Sequence, residues 1–262
     1  SDSTSTIEPG TTILGDYDVV GSSLFVLRGA KIRALGTPES PIVFTSERPV
    51  GERQPGDWGG LIIVGNGVIT RADPTFLEGT GTNEVTNRSV NYAGGTDTGG
   101  HRSELRCGRV ELAGYAPAPN QELNSFTFAA VGSATVFEGL QSLAGLDDSF
   151  EWFGGAVDGK YLVSYEAGDD HFDASEGYTG RNQYLIAFQS KVLTPRPAAG
   201  RSPARPRSKP RLFSASGKSG CNASAFSYKP RASWSCPDSS SAYPRLLSAP
   251  GYSGVAARAA RK

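Results

Sequence analysis

Asp147-Asp148-Ser149-Phe150-Glu151 returns 22 residues later as Asp169-Asp170-His171-Phe172-Asp173, and both copies run into glycine, at Gly154-Gly155 and at Gly177. A period of 22 suits one rung of a β-solenoid, in which the chain completes a turn and lies back on itself. Parallel strands in stacked rungs sit about 4.8 Å apart. The repeat therefore predicts Asp147 and Asp148 against Asp169 and Asp170, and Glu151 against Asp173. Two carboxylates about 5 Å apart repel by roughly 3 kcal/mol at an effective dielectric near 20, and by less than about 1 kcal/mol in water. A partly buried column of this kind needs shared protons, arginines or a divalent cation.

Outward from the repeat, the chain breaks into short β-branched or aromatic runs separated by turn residues. Examples are Ser23-Leu24-Phe25-Val26-Leu27, Pro41-Ile42-Val43-Phe44-Thr45, Gly60-Leu61-Ile62-Ile63-Val64 and Tyr161-Leu162-Val163-Ser164-Tyr165. No helical period joins them, so the class is all-β. A sandwich would show hairpin dipeptides and clean polar/apolar alternation. Several runs are instead continuously apolar, as parallel strands tend to be. The expectation is a right-handed parallel β-helix over residues 1–190.

Two segments depart from this pattern. Residues from about 66 to 107 are rich in glycine and threonine, and read as a long inserted loop with too little apolar matter to form core. Residues 191–262 hold 9 of the 17 prolines and 14 serines, and no strand pattern continues there. Charge divides at the same place. Residues 1–190 carry 12 Lys+Arg against 25 Asp+Glu, a net of −13, whereas residues 191–262 carry 14 Lys+Arg against Asp238 alone, a net of +13. The acidic body repels nucleic acid and favours cations or cationic partners. The basic tail has the composition of an out-of-frame reading of a GC-rich gene; a surface- or glycan-binding tail is the competing reading.

No apolar run approaches the roughly 18 residues that span a bilayer. The polar start, Ser1-Asp2-Ser3-Thr4-Ser5-Thr6, reads as a processed terminus of an exported protein. Cys107, Cys221 and Cys236 form neither a disulfide framework nor a zinc spacing, and His101 and His171 are too few for a histidine metal centre.

The body resembles a family of exported bacterial β-helix proteins, often lipoproteins and sometimes labelled transporters. The resemblance rests on Gly36-Thr37-Pro38 with Pro41-Ile42-Val43-Phe44-Thr45-Ser46, on Gly56-Asp57-Trp58-Gly59-Gly60-Leu61, and on Arg109-Val110-Glu111-Leu112-Ala113-Gly114. It continues through Leu123-Asn124-Ser125-Phe126-Thr127-Phe128, Asp147 to Gly155 and Asp169 to Gln183. It covers roughly residues 10–190 and implies the fold and export to the envelope or the extracellular space. It assigns no activity. It also implies further rungs after Gln183, where this chain changes character.

The site candidates follow from the repeat. Glu111, Glu151 and Asp173 each follow an apolar residue and precede glycine, with Glu138 on the same or a neighbouring face. Oxygen-only ligands suit calcium, and Asp147, Asp148, Asp169, Asp170 and Asp173 are the candidate ligands. The plain alternative is that these acids cap backbone N–H groups in turns. The partner class is polysaccharide or a cell-surface glycan. If the chain is an enzyme, Glu151, Asp173 and Arg181 would share a cleft and act on a uronate or glycosidic bond with calcium as electrophile. The offset also puts Ser149 beside His171, the minimum for an esterase-type site. Trp152, Phe153, Tyr165, Tyr178 and Tyr184 either stack in the core or face outward beside the acids as a sugar-stacking platform.

Overall fold

The fold was obtained as a computed structural model, which describes residues 3–19, 21–79, 91–100, 102–117, 121–190 and 213–214. Every pairing between its named strands is parallel. Sheet A holds β1 (Ser3–Ile7), β4 (Ala30–Leu35), β7 (Glu104–Glu111), β9 (Val136–Leu143), β11 (Asp158–Tyr165) and β13 (Asn182–Phe188). In this sheet β2 (Thr12–Gly15) and β5 (Ile42–Ser46) extend the pairing to the second half of β7. Sheet B runs β12 (Asp173–Ser175), β10 (Phe150–Phe153), β8 (Phe126–Ala129), β6 (Gly60–Val64), β3 (Ser23–Val26) and β14 (Phe213–Ser214). The chain alternates between the sheets, which is the coiling of a parallel β-helix. Among the described residues, no helix is long and apolar enough to cross a membrane.

Rung length matches the sequence repeat. Val136 pairs with Asp158 and Glu151 with Asp173, each 22 residues on. The strand carrying Tyr161–Tyr165 pairs in parallel with Tyr184–Phe188, Leu162 against Leu185, one residue longer than the repeat.

Backbone handedness marks the corners. Cys107, Gly139, Tyr161 and Tyr184 hold φ of 48°, 65°, 56° and 61° at one bend within the sheet A strands. Leu112, Ala144 and Glu166 do the same after those strands, with φ of 60°, 53° and 59°; Ala130, Gly154 and Glu176, with φ of 50°, 64° and 55°, do so after sheet B. L-residues avoid this region because Cβ crowds the following carbonyl. Three columns of it, one residue per rung each, mean that stacking fixes the turn and overrides local preference.

The interior is an aromatic ladder. Phe126, Phe150 and Phe172 stack at 4.8 and 5.4 Å, and Phe128, Trp152 and Tyr178 at 5.7 and 5.4 Å. Trp152 and Tyr178 therefore belong to the core. Tyr161–Tyr184 and Tyr165–Phe188 form separate stacked pairs, at 4.8 and 5.0 Å, on sheet A. The acids of the repeat lie on and around sheet B, away from these two sheet A pairs.

The insertion also differs from expectation. Leu77 and Tyr92 are buried against Phe25, Ile62, Val64 and Ala129, with Ile69, Phe76 and Phe153 alongside. This second core covers part of sheet B. A few well-placed apolar residues suffice because sheet B supplies the other half of the contact. The insertion ends before Glu104, where β7 begins, and residues 80–90 lie outside the described residues. So does the basic tail apart from β14, which pairs with β3 at the opposite end of sheet B from β12. Cys107 is disulfide-bonded. It is the only cysteine among the described residues.

Candidate functional site

Register through sheet B stacks three copies of one pattern. Phe126 pairs with Phe150, and Glu151 pairs with Thr127 on one side and Asp173 on the other. The outward column from the first rungs is Phe25, Ile62, Thr127, Glu151 and Asp173. It passes from apolar, under the insertion, to acidic, beyond it.

The acids converge as the repeat predicted. Asp147 and Asp148 lie in the turn before β10, and Asp169 and Asp170 in the turn before β12. Asp170 N–H donates to Asp148 Oδ1 at 2.8 Å, and Ser149 N–H donates to the Asp170 carbonyl at 3.0 Å. The turn-capping role expected as the plain alternative is thus real for Asp148. It does not use up the cluster. One carboxylate oxygen each from Asp148, Glu151 and Asp173 lie within 4.8 Å of one another, and so do those of Asp147, Asp148 and Asp169. Asp170, bonded through its backbone, is in neither group.

Electrostatics follow from burial. Desolvation is the main cause that pushes the Asp147 and Asp148 carboxyls up to about 7, with neighbouring acids adding to it. Glu151 is 6% exposed and is pushed up to about 9, by burial first and then by Asp148, Glu78 and Asp173. None of these acids has an ion pair among the described residues. At 4.8 Å each ionised pair costs about 3 kcal/mol at an effective dielectric near 20. Without counter-ions the site holds protons; with a divalent cation it would release them.

Three residues of this site were not singled out from sequence. Asn124 is 1% exposed, donates through Nδ2 to Glu151 Oε2, and leaves its Oδ1 without a partner. Glu122 and Glu78 add charge, and burial and Glu122 raise the Glu78 carboxyl. Both line a small crevice with Asn124, Thr127 and Phe153. The signal for Asn124 was present: Asn124-Ser125-Phe126 is an earlier copy of Asp148-Ser149-Phe150 and Asp170-His171-Phe172.

Other candidates fall elsewhere. Glu111 ends β7 in sheet A and bridges Arg109 at 2.6 Å, so it is not stacked with Glu151. Glu138, also in sheet A, bridges Arg106. Arg181 pairs with Asp158 at 2.5 Å where β11 begins, its side chain 86% exposed, and makes no contact with Glu151 or Asp173. The expected cleft uniting Glu151, Asp173 and Arg181 is therefore not formed, because the corner between the sheets directs Arg181 to sheet A. Ser149 does meet His171, but through Ser164, whose hydroxyl lies 2.6 Å from both Ser149 Oγ and His171 Nδ1. Ser149 and Ser164 are wholly buried, so neither hydroxyl is open to a substrate and the esterase-type reading is set aside.

An all-parallel solenoid bearing a buried carboxylate face defines the class as a β-helix with an oxygen-rich side-chain site. The chain belongs to the family of pectate-lyase-like β-helix domains, whose profile matches residues 1–195. No curated protein and no solved structure matches it.

Proposed function

We propose that this chain is an exported β-helix of the cell envelope or extracellular space that binds polysaccharide through a calcium-loaded acidic face. The observation that carries the reading is the Asp148–Glu151–Asp173 oxygen triad with the orphaned Asn124 Oδ1 beside it. Calcium takes six to eight oxygen ligands at about 2.3–2.6 Å, and mixed carboxylate and amide donors suit it. A bound ion left partly open to solvent would offer coordination positions to sugar hydroxyls or carboxylates. The test is binding of immobilised uronate-rich and neutral polysaccharides, with calcium and with chelator. Calcium-dependent retention of either class supports the reading, and indifference to calcium contradicts it.

A second reading, polysaccharide cleavage, has one observation in its favour. Glu151, held protonated by burial, sits within 4.8 Å of Asp173, and a protonated acid beside a carboxylate is the pair that glycosidic hydrolysis uses. Release of reducing ends or of an unsaturated product from those same polysaccharides, lost in Glu151→Gln, would establish it.

A further inference from the structure

We propose that a hollow beside the start of β4 binds an anionic sugar residue, with no metal involved. The site is separate from the acidic face and does not depend on the reading above. The two ends of the insertion frame it, Asn66 where the chain leaves β6 and Asp97, Gly100 and Arg102 where it returns to β7. Lys31, on β4, lines the hollow with them. It holds about 820 Å³ of space open to solvent, the size of a small-ligand site.

Charge gives the ligand its sign. Arg33 pairs with Glu104, and Ile32 N–H donates to Ser103 Oγ at 3.0 Å. One residue further back, the same alignment brings Lys31 and Arg102 side by side at the hollow. Like charges placed together on neighbouring strands destabilise a sheet unless something balances them. Arg102 is exposed and has no ion pair among the described residues. Asp97 is the only acid lining the hollow among the described residues, so two cations face one carboxylate. This local excess of positive charge stands on a body whose net charge is −13. An anion held there is held by these two side chains against the field of the rest of the solenoid.

Shape gives the ligand its class. The Asp97 N–H donates to the Asn66 carbonyl at 2.8 Å, which fixes the turn across the mouth of the hollow. The Asp97 carboxylate lies against Gly100, where an added Cβ would stand 1.9 Å from Oδ2. Glycine at 100 is what lets the carboxylate take this place. A bare anion gains from Lys31 and Arg102 alone and is repelled by Asp97. A sugar acid uses all four side chains: its carboxylate meets the cations, and its hydroxyls donate to Asp97 and accept from the Asn66 amide.

The experiment is a titration of the full chain in chelator with D-glucuronate, glucose and inorganic sulfate, followed by amide chemical shifts. Glucuronate is expected to shift the Gly99 and Gly100 amides and to bind more tightly than glucose or sulfate. Lys31→Gln and Arg102→Gln should each weaken it about tenfold, the loss of one charge-assisted contact, with circular dichroism unchanged. Asp97→Asn should weaken glucuronate and tighten sulfate. Glucose bound as tightly as glucuronate would overturn the role of the cations, and sulfate bound as tightly would overturn the sugar class. No binding of glucuronate, or binding that neither cation substitution moves, would overturn the site and leave the calcium-dependent reading of sheet B untouched.

Discussion

Sheets A and B carry acids on the same solenoid and treat them in opposite ways. On sheet A three acids each meet a cation: Glu138 with Arg106, Glu111 with Arg109, and Asp158 with Arg181. Around sheet B, Asp147, Asp148, Glu151, Asp169 and Asp173 meet only one another, Asn124 and backbone amides. Charges paired across neighbouring strands are an ordinary way to stabilise a sheet. Buried like charges left together are not, and they persist when something outside the chain balances them. The contrast separates acids paired with cations of the fold from acids that have no ion pair among the described residues.

The sharpest way to break this comparison is to supply the missing charge. Calcium at about a hundred times its dissociation constant adds roughly 2.7 kcal/mol to the native state, and so raises the Tm of a domain of this size by roughly 5–10 °C. Scanning calorimetry with calcium and with chelator measures it. Asp148→Asn combined with Glu151→Gln should abolish the rise, and a melting curve indifferent to calcium in the wild type would remove the distinction between the sheets.

A smaller effect is expected from pH in the metal-free chain. Asp147, Asp148 and Glu151 are raised in the folded state, to about 7, 7 and 9, so the folded chain holds their protons more tightly than the unfolded one. Their contribution is fully present below about pH 4, where the unfolded groups are also protonated, and is lost as pH rises through those folded values. Tm should therefore fall between pH 5 and pH 9 without calcium, and fall less with it, because the ion replaces the protons. The double variant should keep only the part of the fall that Asp147 supplies, and show no reversal by calcium.

Sheet A supplies the control. Its Glu138–Arg106 pair is partly solvated, so Glu138→Gln should cost less than about 1 kcal/mol and leave the calcium response unchanged. Arg181→Ala, at a pair largely open to water, should leave both calcium response and polysaccharide retention as they were. Loss of retention there would return Arg181 to the site and blur the two classes of acid.

The period of 22 made the fold legible, because a parallel register repeats side-chain columns and the columns kept their chemistry. Phe126, Phe150 and Phe172 stay aromatic inside, while Glu151 and Asp173 stay acidic outside. Asn124 escaped notice because its rung is 24 residues from the next and an amide replaces the aspartate. The insertion was misjudged because Leu77 and Tyr92 gain their burial from sheet B, a contact that local composition does not register. Glu111 and Arg181 were misplaced for a related reason. A residue's rung follows from period, but its sheet depends on which corner the left-handed residues turn, and Leu112, Ala130 and Tyr184 give no local sign of φ > 0.

The central claim, that the acids around sheet B hold a cation, is tested most directly by a crystal structure of the calcium-soaked chain. The account predicts density bonded at about 2.3–2.6 Å to oxygens of Asp148, Glu151 and Asp173, with the Asn124 amide oxygen turned toward it. Water alone between those carboxylates at saturating calcium, with Glu151 still protonated against Asn124, would contradict it.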